Sequence, residues 1–206
     1  KTMLIEKYGC IGGMATVGLV GPFMTSFDAT GETQIIRGLF EELVTRLEER
    51  GGAIHPSKVR CGTSYCAFIT PGHDHVTPFD PECLKLIATE MVLESGVELL
   101  LHTQCLDAIK EGDRITGIVI ANKSGLQAIR ASVIIDCTGD ADVAEWAGVP
   151  TVLGRRDDHG MQPATMFFRI CNVDSDRVKE YIEQTRHLVG RPFHGPFSWI
   201  VKEARE

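Results

Sequence analysis

The chain has 206 residues, 43% of them hydrophobic and 24% charged, and a formal net charge of -7. That length can bury a good core, while the acidic balance argues against a nucleic-acid groove or an anionic membrane surface as the main partner. No apolar run approaches the roughly 20 residues a membrane helix needs, and an odd count of seven scattered cysteines favours reduced thiols in the cytoplasm over a disulfide framework.

The chain opens on Lys1-Thr2-Met3-Leu4-Ile5-Glu6, which reads as a buried strand ending in an acid. In a dinucleotide-binding unit such an acid, at the end of the second strand, accepts hydrogen bonds from ribose hydroxyls. The alternative is a solvated strand-end acid. The glycine fingerprint that accompanies such an acid lies about 20 residues upstream of it. Only five residues precede Glu6, so the chain is expected to be a fragment that starts inside a domain.

Tyr8 to Thr16 holds Gly9, Gly12 and Gly13, a loop whose missing Cβ atoms let backbone N–H groups approach a ligand. Cys10 is read as packing. Irregular chain is expected as far as Phe23. Gln34 to Arg50 then places Ile36, Leu39, Phe40, Leu43, Val44 and Leu47 on one face of an amphipathic helix, stopped by Gly51-Gly52.

From about residue 53 to 78 the periodicity fades, as in a functional loop or a small β excursion. Cys61 and Cys66 are too far apart for a zinc knuckle, and no metal site is assigned. His73 and His75 lack a third metal ligand nearby, leaving substrate-site acid or base, or plain loop histidines, as the alternatives. Asp80-Pro81-Glu82 starts a second helix, with an N-cap acceptor, proline at the first position and an acid near the positive end. Leu84, Ile87, Ala88, Met91 and Val92 form its buried face, and Gly96 ends it.

Val97 to Leu101 reads as a strand on the main sheet. Gln104 to Lys110, Arg114 to Asn122 and Leu126 to Ile135 follow as an antiparallel meander with hairpin turns at 111–113 and 122–125. The last strand is expected to rejoin the main sheet as a buried run, Val133-Ile134-Ile135, and to break at Thr138-Gly139-Asp140 into a helix over 140–147. Ligands bind beyond the carboxyl ends of strands in open α/β sheets, so that turn is the place for a phosphate or sugar. Thr165 to Cys171 reads as a further β-type run and Asp176 to Arg186 as a helix, so a second domain is expected to begin near Val152.

Leu4-Ile5-Glu6-Lys7, Gly12-Gly13-Met14-Ala15-Thr16, Thr77-Pro78-Phe79-Asp80-Pro81-Glu82 and Ile134 to Asp142 together resemble the bacterial FAD-dependent oxidoreductases of the glutathione-reductase-like two-dinucleotide superfamily. The resemblance covers about the first 170 residues, and the Thr-Gly-Asp-Ala-Asp ending is its most specific part. It implies an α/β, Rossmann-like FAD-binding domain over 1–150, incomplete at its N-terminus and carrying the β-meander over about 104–130. Residues 151–206 would begin a substrate-side domain.

The resemblance also implies roles. Glu6 would hold the adenosine ribose, with Lys7 beside the adenine end, and Gly12 and Gly13 would pass the pyrophosphate. Met14, Ala15 and Thr16 would approach the ribityl chain or isoalloxazine. Cys105 would lie where backbone groups meet adenine, and Thr138, Gly139 and Asp140 would close over pyrophosphate and ribityl hydroxyls. The implied reaction passes hydride or electrons between flavin and a small organic substrate. His73, His75, His159 and Arg169 are the side chains considered for substrate contact or proton transfer. The chain alone, lacking the principal phosphate cradle, is expected to bind FAD poorly. A non-catalytic nucleotide-binding or scaffold protein of the same fold is the alternative, and oligomeric state is not legible.

Overall fold

The computed structural model describes residues 1–59, 74–162 and 164–185. His73, Cys61 and Cys66 lie outside them. The described chain mixes a parallel strand pair, an antiparallel sheet and helices, the α/β class expected from the sequence. It forms two compact units, one of Lys1–Gly13 with Ala88–Met166 and one of Met14–Ile87 with the chain from Phe167 onward.

In the first unit, β1 (Met3–Ile5) pairs in parallel with β2 (Glu98–Leu100) in the register Met3↔Glu98, Leu4↔Leu99 and Ile5↔Leu100. The pairing runs one residue further, because Glu6 N donates to Leu100 O at 3.0 Å. The meander follows as expected: β3 (Gln104–Glu111), β4 (Arg114–Asn122) and β5 (Gly125–Arg130) form a separate antiparallel sheet. Its two tight turns sit where Gly112-Asp113 and Lys123-Ser124 supply turn chemistry, and Asn122 Oδ1 accepts Ser124 N–H at 2.9 Å. Ile120 is buried in β4, and α3 (Asp142–Trp146) packs against β3 and buries Val143.

Two expectations fail in this unit. The run from Val133 to Ile135 is no strand: β5 ends at Arg130, the last ladder-like bond runs from Ala131 N to Thr116 O, and Val133 and Ile135 are 78% and 81% exposed. β-Branched residues fit a pleated surface but do not make one, and no described strand lies in register beside this run. The helix expected over 140–147 is also shorter, five residues beginning at Asp142.

The second unit is built on α1 (Leu39–Glu49), whose Val44 and Leu47 are fully buried. Burial of each contributes roughly 1.5–3 kcal/mol. The helix starts later than the expected Gln34, because Gln34 pairs with Phe27, and Ile35 N and Ile36 N both donate to Ser26 O. Leu39 and Ile36 consequently stay exposed. At the far end Gly51 N and Gly52 N donate to Glu48 O and Leu47 O, the expected stop.

α2 (Pro81–Glu94) begins as read from the sequence: Asp80 Oδ1 accepts the N–H groups of Glu82 (2.7 Å) and Cys83 (3.4 Å). Leu84 and Ile87 are its buried residues, while Met91 and Val92 are only half-buried. Phe23 stacks on Phe79 at 4.2 Å and meets Phe40 edge-on at 5.7 Å. Single bridges, Phe23↔Thr77 and Ala53↔Phe79, give the irregular segment its β character.

The β-type run at 165–171 is also corrected. Its described residues form no strand, and Met166 and Phe168 are 88% and 68% exposed. α4 (Ser175–Thr185) is close to the helix expected there.

Candidate functional site

Glu6 sits where β1 gives way to a loop, and its position is fixed through its backbone. Its N–H bonds Leu100 O, and its carbonyl accepts Thr103 N–H at 3.0 Å. Its carboxylate Oε1 takes the Tyr8 N–H at 2.9 Å, an interaction between residues two apart that a strand-to-loop change makes possible. Tyr8 O in turn accepts His102 N–H at 3.0 Å, so the chain from Glu6 to Tyr8 is fastened to 102–103. Lys7 is exposed, its ammonium 5.0 Å from the Tyr8 ring.

The glycines of this region divide into two kinds. A Cβ on Gly9 would lie 2.7 Å from the His102 ring, so Gly9 lets the protein pack on itself. Gly18, in the second unit, is likewise pressed against the Met14 backbone. Gly13 and Gly139 are different: both have positive φ, 48° and 94°, and a Cβ at either would meet nothing within 4 Å. Their glycines serve backbone conformation beside open space, the condition for backbone amides to approach a ligand closely.

Asp136 organises the turn that leads to Gly139, a role the sequence reading did not assign. Its Oδ1 accepts both the N–H (3.0 Å) and the hydroxyl (2.8 Å) of Thr138, and its Oδ2 accepts Ala144 N–H at 3.0 Å. Partial burial works to raise its pKa, but the bonds from Thr138, Ala144 and Val143 outweigh this and hold the carboxyl below its ordinary value. Thr138 Oγ1 also accepts Asp142 N–H at 2.9 Å. Its hydroxyl is therefore committed within the turn, whereas Gly139 and Asp140 are exposed. The Asp-x-Thr pattern, an Asx-turn signature, was the available signal.

Cys105 is half-buried on β3. Burial pushes its thiol pKa up, with backbone hydrogen bonds at Asp107 and Leu106 opposing and the carboxylates of Asp136 and Asp142 adding to the rise. α3, which follows the Asp136 turn, packs against the same strand. Gly13–Ala15 forms a single 3-10 turn, Met14 is 66% exposed and Thr16 is buried.

Each substrate-contact candidate among the described residues has its own local setting. His75 is a core residue, 2% exposed, stacked on Phe27 at 3.9 Å with Nδ1 2.9 Å from Pro56 O. A carbonyl only accepts, so Nδ1 carries the proton. His159 is exposed on a closed loop in which Arg155 and Asp158 pair at 2.6 Å and Arg155 N donates to Gly160 O. Arg169 is exposed and pairs with Glu82 at 3.2 Å. Among the described residues no group of three or more His, Cys, Asp or Glu is arranged to hold a metal ion. No helix there is long and apolar enough to cross a membrane.

The sequence profile of the family described as FAD dependent oxidoreductase matches residues 1–205. A digeranylgeranylglycerophospholipid reductase from Picrophilus torridus is 28% identical over 128 residues, which cover 62% of this chain and 29% of that protein. The chain therefore spans less than a third of the curated relative it matches. Among solved structures, CabE, an aromatic hydroxylase from angucycline biosynthesis, is similar with a TM-score of 0.43 and 18% identity, over 71% of this chain and 28% of that one. L-proline dehydrogenase from P. horikoshii is similar with a TM-score of 0.33 and 19% identity, over 39% of this chain and 21% of that one.

Proposed function

The chain belongs to the FAD dependent oxidoreductase family, with FAD as the cofactor, and from that premise we propose that its first unit supplies the ribose-side acid and part of the diphosphate cradle. Glu6 holds the adenosine ribose and Lys7 lies beside the adenine end. Gly12, Gly13 and Gly139 offer backbone N–H groups to the diphosphate, with Asp140 beside the ribityl hydroxyls. Met14, Ala15 and Thr16 follow as the approach to the flavin end. Cys105 contributes backbone near adenine, and Thr138 shapes the turn instead of binding through its hydroxyl.

The observation that carries this reading is the open space at Gly13 and Gly139, where positive-φ backbone has no protein atom against the missing side chain. A diphosphate needs backbone donors that it can approach closely, and a side chain would keep it away.

Bound FAD supplies the hydride or electron transfer itself. The whole protein would use it on a small organic substrate, with His73 and the exposed His159 and Arg169 as candidates for substrate contact. On this reading residues 1–150 belong to the FAD-binding domain and 151–206 to a substrate-side domain. Five cysteines of the described residues are free, which supports a cytoplasmic location.

The test is flavin retention by the purified protein that carries this chain, read from absorbance near about 450 nm, together with FAD titration. Glu6→Ala should weaken FAD about tenfold or more, the loss of a charged hydrogen-bond acceptor, with little change in melting temperature. Gly139→Val should abolish retention. A folded protein indifferent to both substitutions would overturn the assignment.

A further inference from the structure

His55, Pro56, Ser57 and Lys58 form a feature that the flavin chemistry does not use. Pro56 restricts the residue before it to extended backbone, and His55 sits at φ -58°, ψ 135°, just ahead of the single turn Pro56–Lys58. From there its ring folds over that turn. Nδ1 accepts the Ser57 backbone N–H at 3.2 Å and lies 2.7 Å from Ser57 Oγ.

An N–H only donates, so Nδ1 is unprotonated, and the Ser57 hydroxyl donates to it as well. The proton must then be on Nε2, which lies 2.9 Å from Glu41 Oε1. α1 supplies the clamp twice over. Glu41 takes the ring, and Glu48, seven residues on and on the same helix face, accepts His55 N–H at 2.9 Å and Lys58 Nζ at 2.8 Å. Gln34 Nε2 holds the second oxygen of Glu41. The bond from His55 keeps the Glu41 carboxyl below its ordinary pKa, with Gln34 assisting and burial opposing. Ser57 is exposed, while His55 is largely covered, its side chain 16% exposed.

We propose that Glu41, His55 and Ser57 form a base-activated serine that accepts acyl and phosphonyl groups from electrophilic esters, independently of the flavin. A carboxylate that orients an imidazole, whose other nitrogen receives a hydroxyl proton, is the arrangement that makes serine nucleophilic. In the acyl case Ser57 Oγ bonds to the ester carbonyl carbon while its proton passes to His55 Nδ1. Glu41 stabilises the resulting imidazolium at Nε2. The carbon–oxygen bond to the leaving group breaks, and the departing alkoxide takes the proton from Nδ1. Acyl-Ser57 and an alcohol result, with nothing oxidised or reduced. Water deprotonated by His55 can then release the carboxylic acid.

The test uses the purified protein that carries this chain, an alkyl fluorophosphonate and peptide mass spectrometry, with p-nitrophenyl acetate turnover as a second readout. Ser57 should take the phosphonyl group much faster than Ser124, an exposed hairpin-turn serine whose backbone N–H bonds Asn122 Oδ1 and which has no hydrogen bond to a histidine among the described residues. His55→Gln should slow labelling about 100-fold, the usual worth of a positioned base. Glu41→Gln should slow it less, since the amide oxygen still accepts from Nε2. If His55→Gln disturbs folding, Glu41→Gln and the labelling ratio of Ser57 to Ser124 in the unaltered protein still decide. Labelling of Ser57 no faster than Ser124, or labelling independent of Glu41, would overturn the proposal.

Discussion

Asp136 Oδ2 stands 3.0 Å from the backbone nitrogen of Ala144, eight residues further along, so α3 is capped by a carboxylate that lies outside it. The same side chain gathers both donors of Thr138. A five-residue helix cannot sustain itself in water. This cap and the packing of Val143 hold it in place and thereby fix where Gly139 and Asp140 emerge.

Asp136→Asn should destabilise the first unit by about 1–2 kcal/mol, the cost of losing a charged cap. The sign with pH follows from the lowered pKa of the folded state. The contribution is fully present above the unfolded value of about 3.9 and disappears as pH falls through the lower folded value. Urea unfolding at several pH values should show the stability of the unaltered chain falling on acidification, and Asp136→Asn should remove part of that slope.

Leu47→Ala should cost about 2–5 kcal/mol, because the side chain is fully buried and leaves a cavity. Leu39→Ala, eight residues earlier on the same helix, should stay within about 0.5 kcal/mol, since that side chain is 77% exposed. Parallel denaturant titrations give the comparison, and equal losses would contradict the start of α1 at Leu39.

Gly9→Ala should lower the melting temperature, because its new methyl meets the His102 ring. His102→Ala should restore most of the loss in the double variant, by about 0.5–1 kcal/mol or more of coupling in a double-mutant cycle. Additive effects would show that the close approach is not the cause.

His75→Ala should lose roughly 2–4 kcal/mol, from a cavity beside Phe27 and the loss of one of the two hydrogen bonds to Pro56 O, which keeps the Val59 N–H. Protein that remains folded should keep its flavin affinity and turnover. Unchanged stability with lost turnover would instead place His75 in the chemistry.

Local chemistry was legible wherever the sequence itself carried the interaction. Asp80 ahead of Pro81 marks the start of α2, Gly51-Gly52 the end of α1, and the two short turns define the meander, because caps and tight turns are made by residues a few positions apart. Leu4-Ile5-Glu6, the glycine pair and, most specifically, Thr138 to Asp142 carried the resemblance to the family, whose profile spans residues 1–205.

What only the tertiary structure decided depends on distant partners. Val133 to Ile135 have strand composition yet stand exposed, because a strand needs a neighbouring edge that composition cannot specify. His75 looked like a loop histidine until Phe27 and the Pro56 carbonyl closed around it. Gly9 and Gly139 are indistinguishable as letters. The fold presses one against His102 and leaves the other beside open space. Chain neighbours set each glycine's freedom, but what occupies the place of its missing side chain is fixed only when remote segments pack.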